Sequence, residues 1–106
     1  MVTHRETAKT SEPFAGVKRR ILANSDRLML TEHSLEKGAV LPEHNHPHEQ
    51  LVYLLSGEIV IEIGGQRITI VEGDSLVIPS QAYHKVTASR NSLALDIFTP
   101  SRKDNL

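Results

Sequence analysis

Between Gly38 and Gly57 the chain reads GAVLPEHNHPHEQLVYLLSG, which sets His44, His46 and Gln50 within seven positions of one another. A further imidazole, His84, closes the later segment IPSQAYH, residues 78–84. Three imidazoles and one amide oxygen make a neutral ligand set, so a divalent cation held by them keeps its full charge and acts as a strong Lewis acid. We therefore expect His44, His46, Gln50 and His84 to bind one divalent metal ion. Ligand chemistry does not choose among nickel, zinc, manganese, iron and cobalt.

In a fully extended strand His44 and Gln50 would start roughly 20 Å apart, too far to share an ion bound at about 2 Å. The segment must bend, and Pro47, which removes a ladder donor, is where a kinked strand would return Gln50 to the ring pair. His48 then leaves the ligand set and becomes a neighbour of the site or a rim residue. His4 and His33 read as ordinary histidines with no part in it.

The remainder of the chain limits where such a site is housed. At 106 residues and 39% hydrophobic content, one domain with a modest core of Leu, Ile and Val is expected. Twelve basic against 13 acidic side chains argue against nucleic acid or an anionic membrane as partner. Without cysteine there is no disulfide framework and no thiolate ligand. No apolar run is long enough for a signal peptide or membrane span, which reads as a cytoplasmic protein. Residues 1–13 form a polar N-terminal segment with little reason to order by itself, and 14–106 the folded domain.

From Val17 onward short β-rich runs alternate with glycine and polar pairs, predicting an all-β fold. The expected strands are 18–23, 28–35, 51–55, 59–63, 67–71, 75–78, 85–88 and 93–98. Ser56-Gly57 and Gly64-Gly65 read as hairpin turns, with further corners at Gly38 and Gly73. Ile59, Ile61 and Ile63, then Ile68 and Ile70, give these runs an apolar face for the core. About eight short strands leave sheet edges that closure into a barrel, or pairing with a second copy, would cover, and a homodimer is expected.

The same residues resemble the cupins. The first cupin motif is a glycine, five residues, His-x-His, three or four residues, Glu, six residues and a glycine; Gly38, His44, His46, position 50 and Gly57 fall in register, with Gln in place of Glu. Gly73, Pro79 and His84 match the second motif, while Gln81 stands for its glycine and Ala88 for its asparagine. The resemblance covers Gly38 to Ala88, about half of the chain. It implies a cupin-type double-stranded β-helix, or jelly-roll barrel.

The tail LALDIFTPSRKDNL carries a second constellation, since on a strand Asp96 and Phe98 share a face. If that face is inward, Asp96 is a buried carboxylate suited to proton transfer, and Arg102, past Pro100, is placed for a guanidinium to meet a carboxylate substrate. Pairing of Asp96 with a basic neighbour, Phe98 as plain core and Arg102 as a solvated tail charge are equally open. Together with HPHEQ, this tail is similar to a narrower group, the pectin-degradation cupins that linearise unsaturated uronates. That likeness implies His44, His46, Gln50 and His84 as metal ligands, Asp96 and Arg102 as catalytic residues, and Phe98 with Arg102 as substrate contacts. It also implies a small anionic sugar, a 4,5-unsaturated uronate from pectin or alginate breakdown, opened to a linear keto acid. A cupin dioxygenase and a non-enzymatic small-molecule-binding cupin are the competing readings.

Overall fold

Alternation of small apolar and polar side chains sends successive residues to opposite sheet faces, and ten strands result. The computed structural model describes residues 2–106. The strands are β1 (Thr10–Phe14), β2 (Val17–Asn24), β3 (Met29–Leu35), β4 (Val40–His44), β5 (Glu49–Ser56), β6 (Glu58–Ile63), β7 (Gln66–Val71), β8 (Ser75–Ile78), β9 (His84–Ala88) and β10 (Ser92–Thr99). Six form one antiparallel sheet in the order β1-β2-β3-β10-β5-β8, and four a second in the order β4-β9-β6-β7. This is the all-β, two-sheet jelly roll anticipated. No helix among the described residues is long and apolar enough to cross a membrane.

The inner faces meet in a core of Val17, Leu35, Val52, Leu54, Ile59, Ile61, Ile70 and Ile78, with Ile63 and Ile68 packed against it. A smaller cluster of Ile21, Met29 and Phe98 lies on the same face of the six-stranded sheet. Towards that cluster the inward positions turn polar. Arg19, Thr31, His33, Asp96 and Gln50 occupy places on β2, β3, β10 and β5 that apolar residues fill elsewhere, and there the barrel opens into a cavity.

Three local expectations differ from what is observed. Pro47 does not kink a continuous strand: β4 ends at His44 in the smaller sheet, β5 begins at Glu49 in the larger, and residues 45–48 cross between them. Gly64-Gly65 does close a hairpin between β6 and β7, but Ser56-Gly57 joins strands of different sheets. Gly57, at φ +91°, lies so tightly against Asn91 and Ser92 that no side chain fits, and the chain changes sheet there. The edge strands β1 and β4 escaped notice because Pro13, Pro42 and flanking polar residues hide a run that needs only backbone pairing on one side.

Within the polar N-terminal segment, Arg5 and the residues from Thr10 onward are held by the same chain. Thr10–Phe14 pairs with β2, and Arg5 grips Glu32 of β3 with two bonds, Nε to Oε2 at 2.9 Å and Nη2 to Oε1 at 2.7 Å. Glu32 is held below the usual carboxylate range by that bond, against the opposing cost of its burial. Arg20 Nε lies 3.7 Å from the same carboxylate. The strand pairing therefore extends across the division expected at residue 13.

Candidate metal centre

His44 and His84 are direct cross-strand partners on β4 and β9, and their rings lie 4.3 Å apart. His46, in the crossover after β4, brings its ring to 5.2 Å from that of His84. The crossover is strapped to the turn that precedes His84: Gln81 N donates to the His46 carbonyl at 2.8 Å, and Ser80 Oγ to the Pro47 carbonyl at 2.6 Å. Gln81 takes φ 67° in this turn, where the cupin motif has glycine, and its side-chain oxygen accepts a bond from Asn45 Nδ2 at 3.3 Å. Three ligand nitrogens, one each from His44, His46 and His84, thus lie within 4.8 Å of one another.

Each ring meets a backbone carbonyl through Nδ1: His44 that of Pro42 at 2.9 Å, His84 that of Ala82 at 2.9 Å, and His46 that of His48 at 3.1 Å. A carbonyl only accepts, so each Nδ1 carries a proton, and in the neutral ring the lone pair then lies on Nε2. Burial, then the positive charge of Arg102 and the neighbouring histidines, pushes His46 down to about 4. Burial also lowers His84. For His46 and His84 burial thus favours the neutral imidazole that metal ligation requires.

The fourth donor tests the fit. Gln50 Oε1 lies 3.2 Å from His46 Nε2, while Gln50 Nε2 donates to Asp96 Oδ1 at 2.7 Å. With the amide nitrogen turned to Asp96 and the single His46 proton on Nδ1, an oxygen lone pair faces a nitrogen lone pair. Two acceptors at that distance repel unless a cation lies near both, and the donor set fits a divalent ion on this ground. His48 supplies its carbonyl to His46; its own Nδ1 is buried without a partner, and its ring stands 5.3 Å from that of His46.

Beside this cluster the barrel encloses a cavity of about 430 Å³ lined by His44, His84, Gln50, Asp96, Phe98 and Arg102, with apolar walls that include Leu35, Val52, Ile59 and Val86. Asp96 and Phe98 alternate inward on β10, and Gln50 is the cross-strand partner of Phe98. The Phe98 ring is edge-on to His46 at 5.9 Å, and the Arg102 guanidinium stacks 5.5 Å from its centroid. Asp104 Oδ2 accepts from Arg102 Nε at 3.1 Å, steadying the chain after the strand. The structure thus brings together all the residues singled out in the sequence, His48 at the margin.

Two residues at the cavity were missed. His33 Nδ1 lies 2.6 Å from Asp96 Oδ2, and Arg19 Nε donates to His33 Nε2 at 3.1 Å. Asp96 is thus not a lone carboxylate in an apolar pocket; it accepts from Gln50 on one oxygen and His33 on the other. The signal was present in strand parity, because His33 shares a face with Met29, Thr31 and Leu35. Burial and the nearby charge of Arg102 lower Arg19, which stays cationic because a guanidinium starts so high.

A two-sheet barrel with clustered histidines beside its cavity defines a class, and residues 31–98 match the family described as Cupin domain. The chain belongs to the cupin family. Within it, the chain is 31% identical over 93 residues to the pectin degradation protein KdgF of Dickeya dadantii (strain 3937), covering 86% of this chain and 84% of that protein. The solved structure of KdgF from Halomonas sp. superposes with a TM-score of 0.92 at 29% identity, covering 100% of this chain and 98% of that one. An acireductone dioxygenase of Tuber melanosporum (strain Mel28) is 30% identical over 81 residues, 64% of this chain and 47% of that protein.

Proposed function

We propose that this cupin opens the ring of 4,5-unsaturated uronate monosaccharides, giving linear keto acids. The observation that carries the reading is the convergence of His44, His84 and Gln50 with Asp96, Phe98 and Arg102 on one cavity, with His46 clustered against His44 and His84 beside it. Similarity to pectin degradation proteins over most of the chain supports the substrate class. A divalent cation held by the three imidazoles and the Gln50 oxygen would supply Lewis acidity to a substrate oxygen.

In such a sugar the ring oxygen belongs to both a hemiacetal and an enol ether. Removal of the anomeric hydroxyl proton forms the aldehyde carbonyl and breaks the bond from the anomeric carbon to the ring oxygen, whose electrons become an enolate. Protonation of the adjacent carbon then yields the keto acid, with no net change in atoms and no oxidant. Asp96 is the group that takes up and returns the proton, and the Arg102 guanidinium binds the substrate carboxylate. Phe98 braces Arg102 and closes the wall beside His46.

Kinetics of two variants on 4,5-unsaturated galacturonate test these roles. Assayed at saturating zinc, Asp96→Asn lowers kcat by about a hundredfold or more, whereas Arg102→Ala chiefly raises KM. If both turn over like the parent, the ring-opening assignment is wrong. The acireductone dioxygenase likeness favours an oxygenase as the second reading, which would reveal itself by oxygen consumption.

A further inference from the structure

We propose that Arg19 and His33 are a positioning pair that orients Asp96 and, through it, turns the Gln50 amide so that its oxygen faces the histidine cluster. The inference rests on the metal reading above for what Gln50 faces, but its hydrogen-bond chain stands on geometry alone.

An amide can present either its oxygen or its NH2 group in nearly the same space, and only the surrounding hydrogen bonds choose. An NH2 group cannot ligate a cation, so the choice decides whether Gln50 is a ligand. Here the chain has one polarity. Arg19 has no acceptor, so its Nε–H fixes the lone pair of His33 on Nε2 and the proton on Nδ1. Nδ1–H then donates to Asp96 Oδ2 at 2.6 Å, leaving Oδ1 to accept from Gln50 Nε2 at 2.7 Å. With its nitrogen so engaged, the amide turns its oxygen to His46.

Register builds this chain into the sheet. Arg19 and His33 are cross-strand partners, Asp96 lies one inward position from the partner of His33, and Gln50 one inward position from the partner of Asp96. The contacts therefore run diagonally over four adjacent strands, β2, β3, β10 and β5. His33, Asp96 and Gln50 are each less than 10% exposed, which leaves little water to replace a lost partner.

The test measures zinc affinity by competition with a chromogenic chelator on the full chain. His33→Leu weakens zinc by roughly tenfold or more. Asn carries an N–H near the His Nδ1 position, so His33→Asn stays within about threefold of the parent, while His33→Gln, whose amide reaches the Nε2 position, does not rescue. Unchanged affinity in His33→Leu, or rescue by Gln as complete as by Asn, overturns the proposal. Nitrogen-15 spectra of the metal-free parent add an independent check: His33 shows a protonated Nδ1 and an unprotonated Nε2, and the reverse pattern is contrary. If the parent binds no zinc, the metal reading falls by itself. Positioning is then decided by exchange of the Gln50 side-chain NH2, slow in the parent and in His33→Asn but fast in His33→Leu; equal exchange in all three overturns it.

Discussion

Replacing Gln50 by Glu changes one atom group and reverses the sign of a buried contact. The amide nitrogen that donates to Asp96 Oδ1 at 2.7 Å becomes a carboxylate oxygen facing another. The lost charge-assisted bond is worth about 1.5–3 kcal/mol. Two carboxylates with charge centres roughly 4 Å apart at an effective dielectric of about 20 repel by about 4 kcal/mol unless they share a proton. Shared protonation raises one carboxyl of such a pair, so the folded variant holds a proton that its unfolded chain would release, and stability is lost as pH rises. We expect metal-free Gln50→Glu to lose about 4 kcal/mol at pH 8 and to recover much of it at pH 5. For a chain of this size that is a drop in Tm of upwards of about 15 °C. A dication on the far side of the new carboxylate offsets the repulsion, so saturating zinc raises Tm more in the variant than in the parent, while the added charge slows ring opening by weakening Lewis acidity. Scanning calorimetry at both pH values, with and without zinc, checks this. A metal-free variant as stable as the parent at pH 8 would refute the facing of Gln50 and Asp96 on which the calculation rests.

Three further outcomes are expected. A methyl on Gly57 would stand 2.7 Å from Ser92 Cα, and nearer still to Ser92 Oγ and the Asn91 carbonyl, in a left-handed conformation. Gly57→Ala therefore costs about 3 kcal/mol or more in denaturant unfolding, from strain plus forced separation of β10; a cost below about 1 kcal/mol contradicts the packing. His46, lowered from 6.5 to about 4, binds fewer protons folded than unfolded, so the metal-free protein loses stability as pH falls through that window. His46→Gln should flatten that slope, and an unaltered slope assigns the loss elsewhere. In metal analysis, His46→Ala and His84→Ala lose the ion and His48→Ala keeps it; loss confined to His48→Ala would redraw the ligand set.

The histidine cluster was legible because spacing in HNHPHEQ and a distant His84 are chemical signals independent of strand bounds. The inward placement of Asp96 and Phe98 followed from period-two alternation on β10, whose one-face burial the barrel realises. What alternation cannot supply is register. Arg19 opposite His33, and His33 one position from Asp96, are consequences of how β2, β3 and β10 slide against one another, so the partner of Asp96 stayed hidden. The same limit explains Ser56-Gly57, since a turn signature does not say whether the next strand pairs with the last or changes sheet. The Arg5 to Glu32 pair, 27 residues apart, left no local pattern at all.

The most direct test incubates the metal-loaded protein with 4,5-unsaturated galacturonate and follows the ultraviolet absorbance of the conjugated enol ether against the spontaneous rate. Ring opening by this site predicts loss of absorbance well above the uncatalysed background, in proportion to enzyme and abolished with Asp96→Asn. Loss no faster than background on this sugar and on unsaturated mannuronate would contradict the proposed activity and bring the oxygenase or binding reading forward.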